Sequence, residues 1–138
     1  MASEFYFNSD RQVLKVRYCG AFEHEDFRTF MRCLRREQIP SLSHVIRDMT
    51  EVQEVRVDPA ELVDWALERS SYVSDLGGAE VRVAFLNVPE RLQTHVEVWR
   101  SFFENQYTPL KYGEFADQAS AERWAAGTAG ARFEPIDC

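Results

Sequence analysis

The amino-acid sequence predicts an α/β domain built on a mixed, mostly parallel β-sheet with helices mainly on one face, in the order β-β-α-β-α-β-α-β-α. Three observations lead there. After an N-terminal pair of strand-like segments, strand-like and helix-like periods alternate along the chain, which is the pattern of a parallel sheet with crossover helices. Several strands keep a polar side, with Lys15 and Arg17 in one and Arg82 in another, where strands buried on both faces would be more uniformly apolar. The 138 residues, 45% hydrophobic and 13% aromatic, suit a single domain spanning 1–138 with one core.

The elements follow in order. Residues 4–8 are short and aromatic and read as an edge strand. Asn8-Ser9-Asp10 is a turn signal, and Val13 to Tyr18 alternates apolar with charged residues, completing a hairpin that Gly20 ends. From Glu23 to Gln38, Phe27, Phe30, Met31 and Leu34 recur at i, i+3, i+4 and i+7, one apolar helical stripe stopped at Ile39-Pro40. Ser43 to Met49 is the next strand. Asp58-Pro59-Ala60-Glu61 is a helix start with an acidic N-cap and Pro at the first position, and Gly77-Gly78 is its stop. Its core stripe is read as Leu62, Val63, Ala66, Leu67 and Val73. Val81 to Leu86 is a strand, and a helix from Pro89 to about Gln106 buries Leu92, Val96, Trp99 and Phe103, with Val98 and Phe102 off that stripe. Leu110 to Phe115 is a last strand. Asp117 caps a short helix through Trp124, and 128–138 is expected to be a loosely attached tail.

Composition narrows the function classes. The formal charge of −7 opposes binding to a phosphate backbone, so no nucleic-acid partner is expected. No apolar run is long enough to span a bilayer, and Met1 to Phe5 lacks the basic and apolar regions of a secretory leader. Cys19, Cys33 and Cys138 are odd in number and widely spaced; three free thiols and a cytoplasmic location are expected. The histidines show no metal-ligating spacing, and no glycine-rich phosphate loop or nucleophile elbow occurs. No catalytic residue, metal or cofactor is therefore expected.

Four segments carry a family resemblance. Gly20 to Phe27 is similar to a strand-end glycine followed by an acidic helix start. Val45-Ile46-Arg47-Asp48-Met49-Thr50 resembles a central strand ending in Asp-x-Ser/Thr. Val83 to Asn87 resembles the family's fourth strand, and Glu114 to Asp117 with Ala121 and Trp124 resembles its closing strand and helix. Together, over about residues 5–126, they resemble the SpoIIAA-like proteins, relatives of the STAS domain (sulfate transporter and anti-sigma-factor antagonist). The resemblance implies strands in sequential order and a regulatory or ligand-binding role in place of catalysis. In signalling members a serine at the start of the second helix is phosphorylated; the matching turn Asp58–Glu61 offers no hydroxyl. Another branch resembles Sec14-type lipid carriers, which implies an apolar pocket.

Three residue groups are candidate sites. Trp65, Arg69 and Tyr72 follow i, i+4, i+7 beside the assigned core stripe and read as a partner-binding surface. Arg28, Arg32 and Arg35 share a face of the first helix and form a possible anion-binding stripe; the alternative is a solvated face paired with Glu25 and other acids. Asp48, Thr50 and Asn87 fall near the carboxyl edge of the sheet, where sites in open α/β folds form; the alternative is that Asp48 and Thr50 cap a turn and Asn87 caps the third helix. The expected function is a non-enzymatic STAS-like regulatory or interaction domain that contacts a protein partner or itself, as a homodimer. The alternative is a small carrier of an apolar ligand between the sheet and the second and third helices. An enzyme using Asp48 and Thr50 is the third reading.

Overall fold

The computed structural model describes residues 3–36, 39, 43–75, 80–104 and 110–138. Gly77-Gly78, Pro40 and the side chains of Leu62, Val63, Ala66, Trp99, Phe102 and Phe103 lie outside the described residues. The elements are β1 (Glu4–Asn8), β2 (Val13–Phe22), α1 (His24–Leu34), β3 (His44–Val55), α2 (Pro59–Asp75), β4 (Val81–Leu86), α3 (Gln93–Glu104, entered through a 3-10 turn at Glu90–Leu92), β5 (Leu110–Phe115), α4 (Gln118–Ala126) and β6 (Glu134–Ile136).

Among the described residues, six strands form one sheet in the order β5-β4-β3-β2-β1-β6. The pairs β2–β3, β3–β4 and β4–β5 are parallel; β1 is antiparallel to both β2 and β6. The sheet is thus mixed and mostly parallel, with consecutive strands adjacent. Phe27, Phe30, Met31 and Leu34 of α1, Trp65 and Val73 of α2, and Leu92 and Val96 of α3 pack on one face with Leu14, Val16, Val45, Val83 and Phe85. On the other face α4 alone lays Ala121, Ala125 and Ala126 on Val13, Ile46, Ala84 and Leu86. Small residues suit a helix held close to the sheet.

Caps account for the helix ends. Asp58 Oδ1 accepts from Glu61 N (3.0 Å), the N-cap that its sequence predicts. Asp26 Oδ2 accepts from Glu23 N (2.9 Å) at the start of α1. Asp117 accepts from Ser120 N (2.8 Å), and α4 ends at Gly127, whose φ of 83° is the left-handed C-cap conformation that glycine adopts without strain.

Several expectations are corrected. Gly20, with φ 75°, does not end β2. It sits between two register shifts against β3, so the strand bulges and continues to Phe22. That extension carries β3 on to Val55, six residues beyond the predicted end. Residues 4–8 are not an edge strand, because Phe5, Tyr6 and Phe7 pair with Ile136, Pro135 and Glu134. Pro135 lacks an N–H and fits the outermost strand. Hence 128–138 is no loose tail. Its end is also fixed covalently: Cys138 and Cys33 form a disulfide, their Cα atoms 5.2 Å apart, and only Cys19 is free. The expectation of three free thiols fails because sequence separation hides that β6 returns the C-terminus to α1. The support those thiols lent to a reducing compartment goes with it. No helix among the described residues is long and apolar enough to cross a membrane.

Candidate functional site

Helix α2 is rotated relative to its predicted register. Trp65 (2% exposed) and Arg69 (1%) face inward, while Leu67, assigned to the core, is 55% exposed. The proposed surface of Trp65, Arg69 and Tyr72 is therefore corrected: the stripe is an inner one. Its spacing is that of a core face, and the indole and ring areas outweigh the leucine in choosing which side is buried. Trp65 stacks on Phe27 (centroids 4.7 Å apart, planes 7°) and meets Phe22 edge-on at 5.7 Å. Its Nε1 donates to His24 Nδ1 (2.9 Å). Tyr72 is half-buried, and its hydroxyl donates to Leu34 O (3.3 Å).

Arg69 enters an aromatic chamber. Its guanidinium carbon lies 5.6 Å from the centre of the Phe30 ring and 6.0 Å from that of Tyr72. A second buried arginine, Arg47 of β3, lies over the same Phe30 ring at 4.2 Å and donates to the Tyr18 hydroxyl. Burial pulls the Arg69 pKa down to about 10, with nearby Arg47 acting in the same direction; at neutral pH the side chain stays charged. Burial pushes the Tyr18 phenol up. Arg47 and Tyr18, with Phe22, Met49, Val55, Phe85, His95 and Val96, line a cavity of about 30 Å³ that reaches toward the exposed His95. Arg47 and Tyr18 were absent from the candidates. Their signal was strand alternation: Val45, Arg47 and Met49 share a face, so an arginine stands at an inward position.

The stripe Arg28, Arg32 and Arg35 is exposed and already engaged. Arg32 is 3.6 Å from Glu25, Arg35 is 3.9 Å from Glu68 and 5.8 Å from the Tyr72 ring centre, and Arg28 Nε is 2.9 Å from His24 Nε2. With Met31 and Glu68 these arginines border a hollow of about 150 Å³. Its acidic neighbours make it a solvated, internally compensated face.

Asp48, Thr50 and Asn87 are brought together. Asp48 Oδ1 accepts from Thr50 N (3.0 Å) and Oγ1 (2.6 Å), and Asn87 Nδ2 donates to Thr50 Oγ1 (3.1 Å). Asn87, at φ 55°, also donates its backbone N–H to Phe115 O (2.9 Å). It does not cap the third helix, whose entry residue is Pro89. The trio ties the ends of β3, β4 and β5 into one clasp. Among the described residues no group of three or more metal-ligating side chains converges.

No family model matches the chain, and no curated protein matches it. Among solved structures it is similar to the anti-sigma factor antagonist SpoIIAA in its unphosphorylated form, at TM-score 0.53 and 10% identity, over 86% of this chain and 92% of that one. It is also similar to an uncharacterized protein of the DUF3478 family from Shewanella loihica PV-4, at TM-score 0.52 and 18% identity, over 82% and 83% of the two chains. At these identities the likeness is one of architecture, and the chain has the SpoIIAA-like fold.

Proposed function

We propose that this protein is a non-enzymatic interaction domain of the SpoIIAA-like type that pairs with a second copy of itself through the outer face of α2 and α3. The observation that supports this reading is the exposure of Leu67 (55%) on α2 and Val98 (48%) on α3, two large apolar side chains on helices that touch each other. The charged residues beside Leu67 are acidic, and those beside Val98 are of both signs, with Glu97 directly before it. Asp64 stands one turn before Leu67 and Glu68 directly after it, whereas His95 and Arg91 precede Val98 by one and two turns. A two-fold axis would lay α2 of one copy on α3 of the other and set Asp64 and Glu68 against Arg91 and His95. The cavity of about 30 Å³ that the described residues leave between the sheet and α3 favours a contact surface over an enclosed lipid-like ligand, which needs several hundred cubic ångströms. The turn at Asp58–Glu61 carries no hydroxyl, so the contact is not switched by phosphorylation there.

Sedimentation equilibrium tests the proposal. The wild type should show a concentration-dependent dimer, and the double variant Leu67→Asp, Val98→Asp should be monomeric with an unchanged melting temperature, because both positions are exposed. A wild type that stays monomeric to high concentration, or a variant that dimerises as well as the wild type, contradicts the proposal.

A further inference from the structure

We propose that the Cys33–Cys138 disulfide is a site of thiol–disulfide exchange, attacked at Cys138 by a dithiol reductant, and that its opening releases Glu134–Cys138 from the edge of the sheet. The two sulfurs are unequally placed. Cys33 on α1 is fully buried, whereas Cys138 is half-buried and borders an open groove of about 730 Å³. Ile136, Asp137 and Cys138 form one wall of that groove, and Glu25, Asp26 and Thr29 of α1 form another. A thiolate must reach the sulfur it attacks, so exchange starts at Cys138. One thiolate of the dithiol bonds to Cys138 Sγ as the Cys33–Cys138 bond breaks and Cys33 leaves with the electron pair. The second thiolate then displaces Cys138 and closes the reductant's own disulfide. Two electrons pass to the protein, the two protons of the dithiol end on Cys33 and Cys138, and the dithiol is oxidised.

What the bond fastens is otherwise weakly held. β6 pairs through three residues, and Pro135 among them offers no N–H. Strand alternation places the ladder bonds on the pairs Phe5–Ile136 and Phe7–Glu134, while the Tyr6 backbone groups turn to Lys15 of β2. Glu134 and Pro135 are exposed and Ile136 is half-buried. The ion pair between Arg132 and Glu134 joins two residues of the same segment, and the Arg36 bond to Asp137 O lies at the surface. Upstream the chain is anchored: Phe133 packs with the residues under α4, and Asn8 Nδ2 donates to Arg132 O (2.7 Å). Without the covalent link, ordering Glu134–Cys138 costs more backbone entropy than these contacts return. Reduction therefore uncovers the Phe5 and Phe7 backbone groups and leaves the β2–β5 part of the sheet in place.

The test is amide exchange followed by NMR on the oxidised protein and on the same sample treated with dithiothreitol at neutral pH. Reduction should reach completion without denaturant. It should speed exchange at Phe5 and Phe7 by about tenfold or more and leave Tyr6 and the amides of β3 and β4 unchanged. Cys138→Ser should show the reduced pattern with no reductant present. A short exposure to the monothiol cysteamine, stopped with N-ethylmaleimide and followed by peptide mapping, should place the cysteamine on Cys138 and the maleimide on Cys33. Four results overturn the proposal: cysteamine on Cys33, a bond that yields only in denaturant, unchanged protection of Phe5 and Phe7 after reduction, or loss of protection throughout the sheet. Three free thiols after air oxidation would overturn it as well.

Discussion

Trp65 and Arg69 occupy one face of α2, and burial acts on them in opposite senses. The indole gains by leaving water and still finds an acceptor in His24, whereas the guanidinium loses its hydration and finds only aromatic faces. His44 shows the same tension in a form that pH can read. It sits at the start of β3, and its Nδ1 accepts from Arg82 N (2.9 Å). Burial, and then the charge of Arg82, push its pKa below the ordinary histidine value. The folded state therefore favours the neutral ring. The stability this gives is complete above the unfolded pKa of about 6.5 and is lost as pH falls below it through the lowered folded value. Urea melts at pH 7.5 and 5.5 should show a drop in stability that His44→Gln reduces, since an amide oxygen can accept from Arg82 without titrating. An identical drop in the variant would assign the pH dependence to other groups. Arg47 was legible in the sequence as a charge at an inward strand position. What it meets there, Tyr18 and Phe30, comes from a neighbouring strand and a crossover helix, and no local pattern encodes that meeting.

Individual elements are fixed by caps and by pairing partners far away in sequence. The apolar stripe of α1 and the caps at Asp58 and Asp117 were legible, because they depend on residues within a turn of each other. The register of α2 was not. Val73 is buried as its stripe predicts, but Leu67 of that stripe is exposed, and only the aromatic chamber of α1 and the sheet turns Trp65 and Arg69 inward in its place. Strand β6 was missed for a related reason: three residues containing a proline give no strand period, and it forms because β1 offers an open edge. The disulfide from Cys138 to Cys33 then closes a segment spanning 105 positions. Cys138→Ser should lower unfolding stability under non-reducing conditions by about 2–5 kcal/mol and speed amide exchange of Phe5 and Phe7. Thiol titration of the non-reduced, denatured wild type should find one free group, Cys19. Three free groups would show that the bond does not form in solution and that β6 is held by its backbone pairing alone.

At the scale of the molecule, the strand order β5-β4-β3-β2-β1-β6 leaves the two faces unequally covered. Three helices bury the aromatic face and α4 the aliphatic one, so the apolar demand of the sheet is met from within the chain. This layering was legible in the alternation of periods and in the polar residues that Lys15, Arg17 and Arg82 place on the sparsely covered side. The outer faces of α2 and α3 then stand out, because Leu67 and Val98 have no role in either core. Self-association through that face is the central claim, and hydrogen–deuterium exchange compared at low and high protein concentration tests it most directly. Protection should rise with concentration in peptides covering 64–75 and 91–101 and stay constant in β1, β6 and α4. Protection confined to the β1–β6 edge or to α4, or no change with concentration anywhere, would contradict it.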